Sequence, residues 1–245
     1  MKNAEFWHPI LAQIYENFNQ FSEDEDFWVQ IIWDLWVTDI TDFWCGTWLF
    51  TSILWNIWYQ VRWIEPVKQM LEIAKSKGIS SNIEWILWDY KEIKDFNTDL
   101  FLMTSHVSQF ITDLSEWNQL LKNCYSVLNH GGYILFDTKN PLIKPWKKYT
   151  RESYNKTKNT KFWPVNMQIE TLAERWNTVT HAIYYDFLHS WEKLISHNTL
   201  IYRTKDELVG NLENVGFTVK KIYWDWDFWS YNDNCEEIIF LAQKI

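Results

Sequence analysis

Strand-like and helix-like segments alternate along residues 38–138, and this alternation restricts the chain to a small set of folds. Five short apolar runs predict strands, at 40–43, 59–65, 83–87, 100–103 and 133–138. Between the strands, apolar residues recur at helical spacing, as in 67–74 and 114–128. Pro66 is expected at the first position of the helix whose apolar stripe is 67–74, and Gly78 is expected to end that helix. Strands and helices that alternate with short connections predict a doubly wound parallel sheet of the α/β class.

The segments on either side of this alternation have different patterns. Apolar residues at helical spacing in 10–18 and 24–35 predict an N-terminal helical lid over residues 1–37. Beyond Pro141, three segments alternate in the manner of antiparallel strands, at 167–174, 179–188 and 193–203. We therefore expect a β-rich insertion over 141–203.

The core is expected to resume after the insertion. Thr204 and Glu207 have the spacing of a helix-capping box, and the segments 219–224 and 237–242 predict two closing strands. The predicted core therefore comprises residues 38–140 and 204–245.

The composition shows too little glycine and too much tryptophan. The chain has 6 Gly and 19 Trp in 245 residues, whereas average usage of about 7% predicts about 17 glycines. Several tryptophans lie where turns and tight loops favour glycine, namely Trp44, Trp48, Trp58, Trp63, Trp88, Trp191 and Trp229. A gene in which UGA encodes glycine, translated with a table in which UGA encodes tryptophan, would give this pattern. The alternative is a genuinely tryptophan-rich protein, and Trp117 and Trp146 have the surroundings of ordinary tryptophans.

Charge and cysteine content exclude several classes of protein. The formal net charge of −9 argues against general nucleic-acid binding. Cys45, Cys124 and Cys235 are too widely spaced for a disulfide framework or a zinc motif. The first 18 residues lack the pattern of a signal peptide, and no apolar run approaches the roughly 20 residues that span a bilayer. We expect a cytoplasmic enzyme with no membrane partner.

A loop follows the first predicted strand and reads D-x-W-x-G-x-W over residues 42–48. It contains Asp42, Trp44, Cys45, Gly46, Thr47 and Trp48, and with glycine at 44 and 48 it would be the D-x-G-x-G-x-G loop that lets a backbone approach a nucleotide cofactor. Glu65 ends the second strand and can accept hydrogen bonds from ribose hydroxyls. Asp89 ends the third strand, where it can meet an adenine amino group. Three acids at consecutive strand ends favour a nucleoside site, although each alone is more often a cap or a solvated surface residue.

Five segments together resemble the class I S-adenosylmethionine-dependent methyltransferases: TDFWCGTWL at 41–49, VRWIEPVKQMLEIAK at 61–75, LWDY at 87–90, DLFLMTSH at 99–106 and LNHGGYILF at 128–136. The resemblance implies a Rossmann-like sheet of seven strands with the last strand antiparallel, combined here with an antiparallel β insertion. It implies S-adenosylmethionine as the cofactor, with Glu65 on the ribose and Asp89 near adenine. It also places Pro66, Tyr90 and Thr104 beside the cofactor. If Trp44 and Trp48 are literal, they would fill part of the cofactor's volume.

Other candidate residues leave alternatives open. His106 follows the fourth strand and could deprotonate a substrate, or it could only hydrogen-bond the cofactor or a loop carbonyl. Tyr15 could cover the cofactor as part of the lid, or it could pack in the core. Cys45 is not expected to act as a nucleophile. The acidic residues between 225 and 237 lack metal-loop spacing, so we predict no metal.

Three functions are compatible with these patterns. The first is methylation of a small-molecule acceptor. The second is methylation of RNA or protein, favoured only if the basic segment 144–161, with seven Lys/Arg against one Glu, lines the mouth of the pocket. The third is a non-catalytic methyltransferase-like domain, expected if Trp44 and Trp48 are literal. A nicotinamide oxidoreductase is disfavoured by Pro66 after Glu65 and by Asp89 after strand three.

Overall fold

The structure is a computed structural model that describes residues 1–20, 24–47, 50, 53–54, 59–78, 84–87, 93–190 and 192–245. In chain order the elements are α1 (Ala4–Trp7), α2 (Pro9–Phe18), α3 (Asp24–Asp34), β1 (Asp39–Phe43), β2 (Gln60–Glu65), α4 (Lys68–Ser76), β3 (Glu84–Leu87), β4 (Thr98–Met103), α5 (Val107–Phe110), α6 (Leu114–Val127), β5 (Leu128–Lys139), β6 (Asn155–Asn159), β7 (Pro164–Arg175), β8 (Thr178–Phe187), β9 (Lys193–Ile201), α7 (Lys205–Val215), β10 (Phe217–Trp224) and β11 (Glu237–Lys244).

The main sheet has seven strands in the order β10-β11-β5-β4-β1-β2-β3. Strands β1 to β5 pair in parallel, and β11 is antiparallel to both of its neighbours, β5 and β10. The predicted fold class, with the last strand antiparallel, is therefore confirmed. The capping box at Thr204 and Glu207 is also present at the start of α7.

A second sheet has the order β6-β7-β8-β9, and all its pairs are antiparallel. The three predicted strands of the insertion correspond to β7, β8 and β9. Strand β6 lies in the basic segment, and the sequence did not predict it. Its sequence, NKTKN, contains no apolar residue, and all five residues are exposed. Strand β6 therefore has no periodic pattern to detect, and it forms by pairing with the edge of β7.

Hydrophobic side chains cover both faces of the main sheet. Helix α3 packs on one face through Phe27 and Trp28, while α6 and α7 pack on the other through Trp117 and Leu208. Helices α1 and α2 instead pack against the second sheet in a separate apolar cluster that includes Leu11. The two N-terminal helices and the second sheet therefore form one packed unit.

Helix α4 begins later than expected. Pro66 was predicted at the first helical position, but the helix begins at Lys68 and Val67 is its N-cap. The reason is a side-chain contact: Glu65 Oε1 accepts a hydrogen bond from the backbone N–H of Val67 at 2.8 Å. This bond holds residues 66 and 67 in a turn between the strand and the helix.

Three tryptophans of the described residues have a left-handed backbone conformation: Trp36, Trp44 and Trp176 have φ values of 54°, 63° and 59°. A bulky side chain in this region is strained by roughly 1–2 kcal/mol, whereas glycine adopts it freely. The backbone conformation therefore favours glycine at position 44, as the sequence suggested, and it also favours glycine at positions 36 and 176. Trp63 differs, because it is a buried residue in the middle of β2. Trp48, Trp58, Trp88 and Trp191 lie outside the described residues.

Trp176→Gly is expected to raise the free energy of unfolding by about 1 kcal/mol. The Trp176 side chain is 92% exposed, so little packing is lost while the left-handed strain is relieved. Urea unfolding measures the change. Trp163→Gly is the matched control, since Trp163 is 47% exposed and its φ is not positive. It should lose stability, because glycine increases the entropy of the unfolded chain. A loss of stability in Trp176→Gly would contradict the glycine hypothesis at that turn.

Candidate active site

A cavity of about 490 Å³ lies at the carboxyl ends of the parallel strands. Its floor includes Asp42 of β1, Glu65 of β2, Thr104 after β4 and Asp137 of β5. The carboxyl edge of an open α/β sheet is where ligands bind in this class of fold. The second sheet and helices α1 and α2 also contribute side chains to its wall. The cavity therefore has a floor from the main sheet and a roof from the insertion and the N-terminal helices.

Backbone hydrogen bonds hold the loop after β1 against β2. The N–H groups of Trp44 and Cys45 donate to the Ile64 carbonyl at 2.7 and 3.3 Å. The N–H of Gly46 donates to Glu65 Oε2 at 2.8 Å, and Gly46 has a φ of +61°. The loop and the end of β2 thus form one hydrogen-bonded unit at the cavity floor.

Glu65 is the acid at the centre of this unit. It is fully buried, and its two carboxylate oxygens accept from Gly46 N–H and Val67 N–H. Burial raises the pKa of Glu65 to about 8, although these two backbone bonds lower it. A carboxyl group with this pKa is mostly protonated near neutral pH.

Trp44 forms a wall between the main cavity and a second cavity of about 390 Å³. Trp44 and Phe110 line both. The Trp44 ring lies 5.6 Å from Phe110, 6.4 Å from Phe6 and 6.4 Å from Phe43, measured between ring centroids. Pro66 lines the second cavity and not the main one, so its expected place beside the cofactor holds only if the two cavities join. With glycine at 44, the indole that separates them would be absent.

The structure brings most of the predicted site residues into one cavity. The main cavity is lined by Tyr15, Asp42, Trp44, Cys45, Gly46, Thr47, Glu65, Thr104 and His106. Trp48, Asp89 and Tyr90 lie outside the described residues. Burial, with the nearby charges of Glu65 and Asp42, raises the pKa of the Cys45 thiol well above its ordinary value. This thiol is therefore a poor nucleophile.

His106 belongs to a buried group of charges that no sequence pattern had brought together. Its Nε2 lies 2.7 Å from Glu237 Oε2 and 3.3 Å from Asp137 Oδ2. Its backbone N–H donates to Asp137 at 3.0 Å, and Lys139 Nζ donates to Glu237 Oε1 at 2.5 Å. Asp137 and Lys139 end the fifth strand, a position that could have marked them. Glu237 comes from β11, far away in sequence, and no local signal marks it.

The charges of this cluster shift its pKa values in opposite directions. Burial alone would lower the pKa of His106, but Glu237 and Asp137 outweigh it and raise that pKa. Burial alone would raise the pKa of Glu237, but His106 and Lys139 lower it to about 2. Burial raises the pKa of Asp137 to about 6. His106, Asp137 and Glu237 could also hold a metal ion by their spacing, but the Lys139 ammonium already supplies a cation to Glu237.

The roof of the cavity is largely aromatic. Tyr185 and Tyr202 come from the second sheet and its end, and Tyr149 and Tyr154 come from the basic segment. Of the seven positive side chains in 144–161, Lys156 lines the cavity, where its Nζ lies 4.7 Å from the centroid of the Tyr154 ring. The basic segment therefore contributes mainly tyrosine to the site.

Other positive side chains of the segment are engaged locally. Lys148 pairs with Glu236 at 2.7 Å and Lys144 with Glu174 at 3.5 Å. The guanidinium of Arg151 lies 4.2 Å from the centroid of the Tyr184 ring. These contacts use the charges of the segment within the protein.

Comparison with known proteins agrees with this geometry. Residues 41–136, from β1 to β5, match the family model of a methyltransferase domain. Residues 41–136 therefore carry a methyltransferase domain, of the kind that the sequence segments resemble. One of the solved structures with this fold is described as a methyltransferase bound to S-adenosylmethionine. No curated protein sequence matches the chain.

Solved methyltransferases share the fold over almost the whole chain. An S-adenosylmethionine-dependent methyltransferase from Clostridium acetobutylicum is similar with a TM-score of 0.76 and 16% identity, covering 96% of this chain and 97% of that one. The CcbJ methyltransferase from Streptomyces caelestis has a TM-score of 0.81 and 11% identity, with 99% and 98% covered. CalS10, an amino pentose methyltransferase from Micromonospora echinaspora, has a TM-score of 0.72 and 12% identity, with 96% and 97% covered. At these identities the likeness shows the fold alone.

Among the described residues, no helix of this methyltransferase is long and apolar enough to span a membrane.

Proposed function

We propose that this methyltransferase transfers the methyl group of S-adenosylmethionine to a nitrogen or oxygen of a small molecule held under the inserted sheet. One observation carries the proposal: the cofactor loop, Glu65 and an aromatic roof share a single cavity of about 490 Å³. This is a volume typical of small-molecule sites. The structural neighbour CalS10, described as an amino pentose methyltransferase, supports an acceptor of this size.

The cofactor would be held by the floor of the cavity. We assign its amino-acid part to Asp42 and the loop of residues 44–48, and its ribose to the Glu65 carboxylate. Thr104 and Tyr15 would line its methyl-bearing side, and Asp89 with Tyr90 its adenine. The bound cofactor supplies an electrophilic methyl on a sulfonium, so the protein needs no nucleophile of its own. Alignment of the acceptor with that methyl can provide much of the rate.

His106 is proposed to receive a proton from the acceptor when the acceptor carries one. Glu237 and Asp137 orient the ring and stabilise the imidazolium that forms. Since they also raise the pKa of His106, the ring can accept a proton only when the pH is high enough for it to be neutral. This favours activity that increases with pH.

The affinity for S-adenosylhomocysteine should depend on pH through Glu65. An ionised carboxylate is the better acceptor for ribose hydroxyls, and the pKa of Glu65 in the free protein is about 8. The dissociation constant should therefore decrease about tenfold between about pH 6.5 and about pH 8.5. Isothermal titration calorimetry gives the constant at each pH. In Glu65→Gln this dependence should disappear, while titration of the ligand itself remains in both proteins. If the dissociation constant varied with pH in the same way in both proteins, Glu65 would not have the role assigned to it.

The same pKa predicts the effect of pH on stability. The folded-state pKa of Glu65 is raised above its ordinary value of 4.5. Its contribution to stability is therefore complete below about pH 4.5 and is lost as the pH rises through about 8. Urea unfolding of the wild type and Glu65→Gln should show this loss in the wild type alone.

Transfer of labelled methyl groups tests the proposed function. The protein is incubated with methyl-labelled S-adenosylmethionine and a bacterial extract divided into small molecules, RNA and protein. We expect label in the small-molecule fraction. Label confined to RNA or protein would overturn the proposal and favour the second function. That alternative is supported by one observation, the contribution of Tyr149, Tyr154 and Lys156 of the basic segment to the cavity wall.

We also propose a separate role for each of three parts of the chain. Residues 1–37 would act as a lid, 38–140 and 204–245 as the catalytic core, and 141–203 as the insertion that selects the acceptor. A cytoplasmic location remains a prediction from the sequence.

A further inference from the structure

Besides Glu5 Oε1 and Thr47 Oγ1, three buried hydrogen-bond acceptors in the cavity wall have no partner within the described part of the chain. They are Gln109 Oε1, His181 Nε2 and Asn198 Oδ1. All three residues line the cavity, and none has more than 7% of its surface exposed. A buried polar atom without a partner destabilises the protein, so three of them around one cavity point to a ligand that supplies donors.

The amide orientation of Gln109 is fixed by its other hydrogen bond. Gln109 Nε2 donates to the Ile201 carbonyl at 3.2 Å, which leaves its oxygen as the remaining atom. The Gln109 oxygen is therefore an acceptor and not a misassigned donor.

The tautomer of His181 follows from its neighbour Thr171. The Thr171 hydroxyl donates to the Trp146 carbonyl at 2.8 Å, so its single proton is used there. His181 Nδ1 lies 3.1 Å from the same hydroxyl oxygen and must therefore be the donor of that bond. In the neutral ring this leaves a lone pair on Nε2. Burial lowers the pKa of His181 to about 4, which keeps the ring neutral at ordinary pH.

The inserted sheet places two of these acceptors side by side. His181 of β8 lies directly opposite Asn198 of β9 in the antiparallel register, so their side chains are neighbours on one face of the sheet. The Tyr149 ring meets the His181 ring edge-on, with centroids 5.5 Å apart. Gln109 approaches from α5 of the core. The acceptor set therefore spans the junction between the insertion and the methyltransferase core.

We propose that the methyl acceptor is a small ring compound with several hydroxyl or amino groups, and that His181, Asn198 and Gln109 accept hydrogen bonds from them. Each of the three atoms can take one N–H or O–H donor, and the aromatic roof provides apolar surface for the ring. This inference rests on the proposed function and adds the chemical class of the substrate. His181 acts here as a residue that determines specificity.

A set of matched ligands tests the donor requirement. Cyclic polyols and amino sugars are each paired with a fully O- and N-methylated counterpart, which can accept hydrogen bonds but cannot donate them. Binding to the full chain is measured by saturation-transfer NMR with S-adenosylhomocysteine present. We expect methylation of the hydroxyl and amino groups of a ligand to weaken its binding about tenfold or more. Equal binding of both members of the pairs, or no binding by any member, would overturn the inference.

Variants show whether these residues cause the preference. His181→Leu and, on the core side, Gln109→Met should each reduce the preference for ligands with free hydroxyl and amino groups over their methylated counterparts. His189→Leu makes the same chemical change as His181→Leu in the exposed turn after β8 and should keep the full preference. A preference that persists in His181→Leu and in Gln109→Met would assign it to other residues.

The cofactor measurement separates this inference from the proposed function. If S-adenosylhomocysteine fails to bind in a calorimetric titration, the proposed function itself is wrong. If it binds and the ligand pairs show no preference, the donor-rich acceptor alone is wrong.

Discussion

Trp44→Gly is expected to tighten the binding of S-adenosylmethionine by about 100-fold. In the present structure Trp44 and Phe110 line both cavities, and we expect a cofactor that extends from the loop to Pro66 to displace the Trp44 indole. Displacement would break ring contacts with Phe6, Phe43 and Phe110. At about 1 kcal/mol for each aromatic pair, the cost is about 3 kcal/mol, which corresponds to that factor. Isothermal titration calorimetry measures the affinity directly.

Trp176→Gly is the matched control for this experiment. It makes the same change at another residue with positive φ, in the turn between β7 and β8 and outside the set of residues that line the cavity. It should leave the affinity unchanged. Since Trp48 belongs to the same sequence motif as Trp44, the double variant Trp44→Gly with Trp48→Gly should bind at least as tightly as the single variant. Unchanged or weaker binding by Trp44→Gly would count against the glycine hypothesis at the cofactor loop.

Glu237→Gln is expected to lower the free energy of unfolding by about 3 kcal/mol near neutral pH. The carboxylate pairs with Lys139 at 2.5 Å and with His106 at 2.7 Å, and its side chain is 10% exposed. Glutamine keeps the shape but removes the charge, so the largely buried Lys139 ammonium loses its nearest counter-ion and retains Asp137. Urea unfolding at constant pH gives the difference from the wild type.

The pH dependence gives the same prediction an independent test. The folded-state pKa of Glu237 is lowered to about 2 from an ordinary value of 4.5. Its stabilising contribution is therefore complete above about pH 4.5 and is lost as the pH falls towards 2. The difference between the wild type and Glu237→Gln should shrink over that range.

The adjacent residue supplies the control. Glu236 pairs with Lys148 at 2.7 Å, but both side chains are about half exposed. Glu236→Gln should therefore change stability by less than about 1 kcal/mol. Similar losses in the two variants would mean that the buried cluster contributes no more than a surface ion pair.

The limits of prediction from sequence are visible in particular elements. The alternating pattern of 38–138 predicted the parallel strands, because each apolar run is long enough to be a buried strand. Strand β6 was missed because all its residues are exposed and its polar sequence has no periodicity to detect. The start of α4 was placed at Pro66 by a residue preference, but the Glu65 side chain bonds to Val67 N–H and moves the start to Lys68.

The candidate site divides in the same way. Asp42, Glu65 and residues 44–47 of the loop after β1 were predicted because they are local to strand ends, and the structure places them in one cavity. Glu237, His181 and Asn198 were missed. Each lies on a strand far along the chain, and its role depends on which strand it faces.

The sequence by itself determined the parallel sheet, the loop after β1 and the match to a methyltransferase domain over residues 41–136, because these depend on short-range periodicity and on residues next to one another in the chain. Only the tertiary structure decided the charge cluster around His106, the wall formed by Trp44 and the acceptors of the roof. These arise where β11, the inserted sheet and the core meet. Contacts between residues more than a hundred positions apart, such as His106 with Glu237, depend on how the folded elements pack against each other, and no local pattern encodes them.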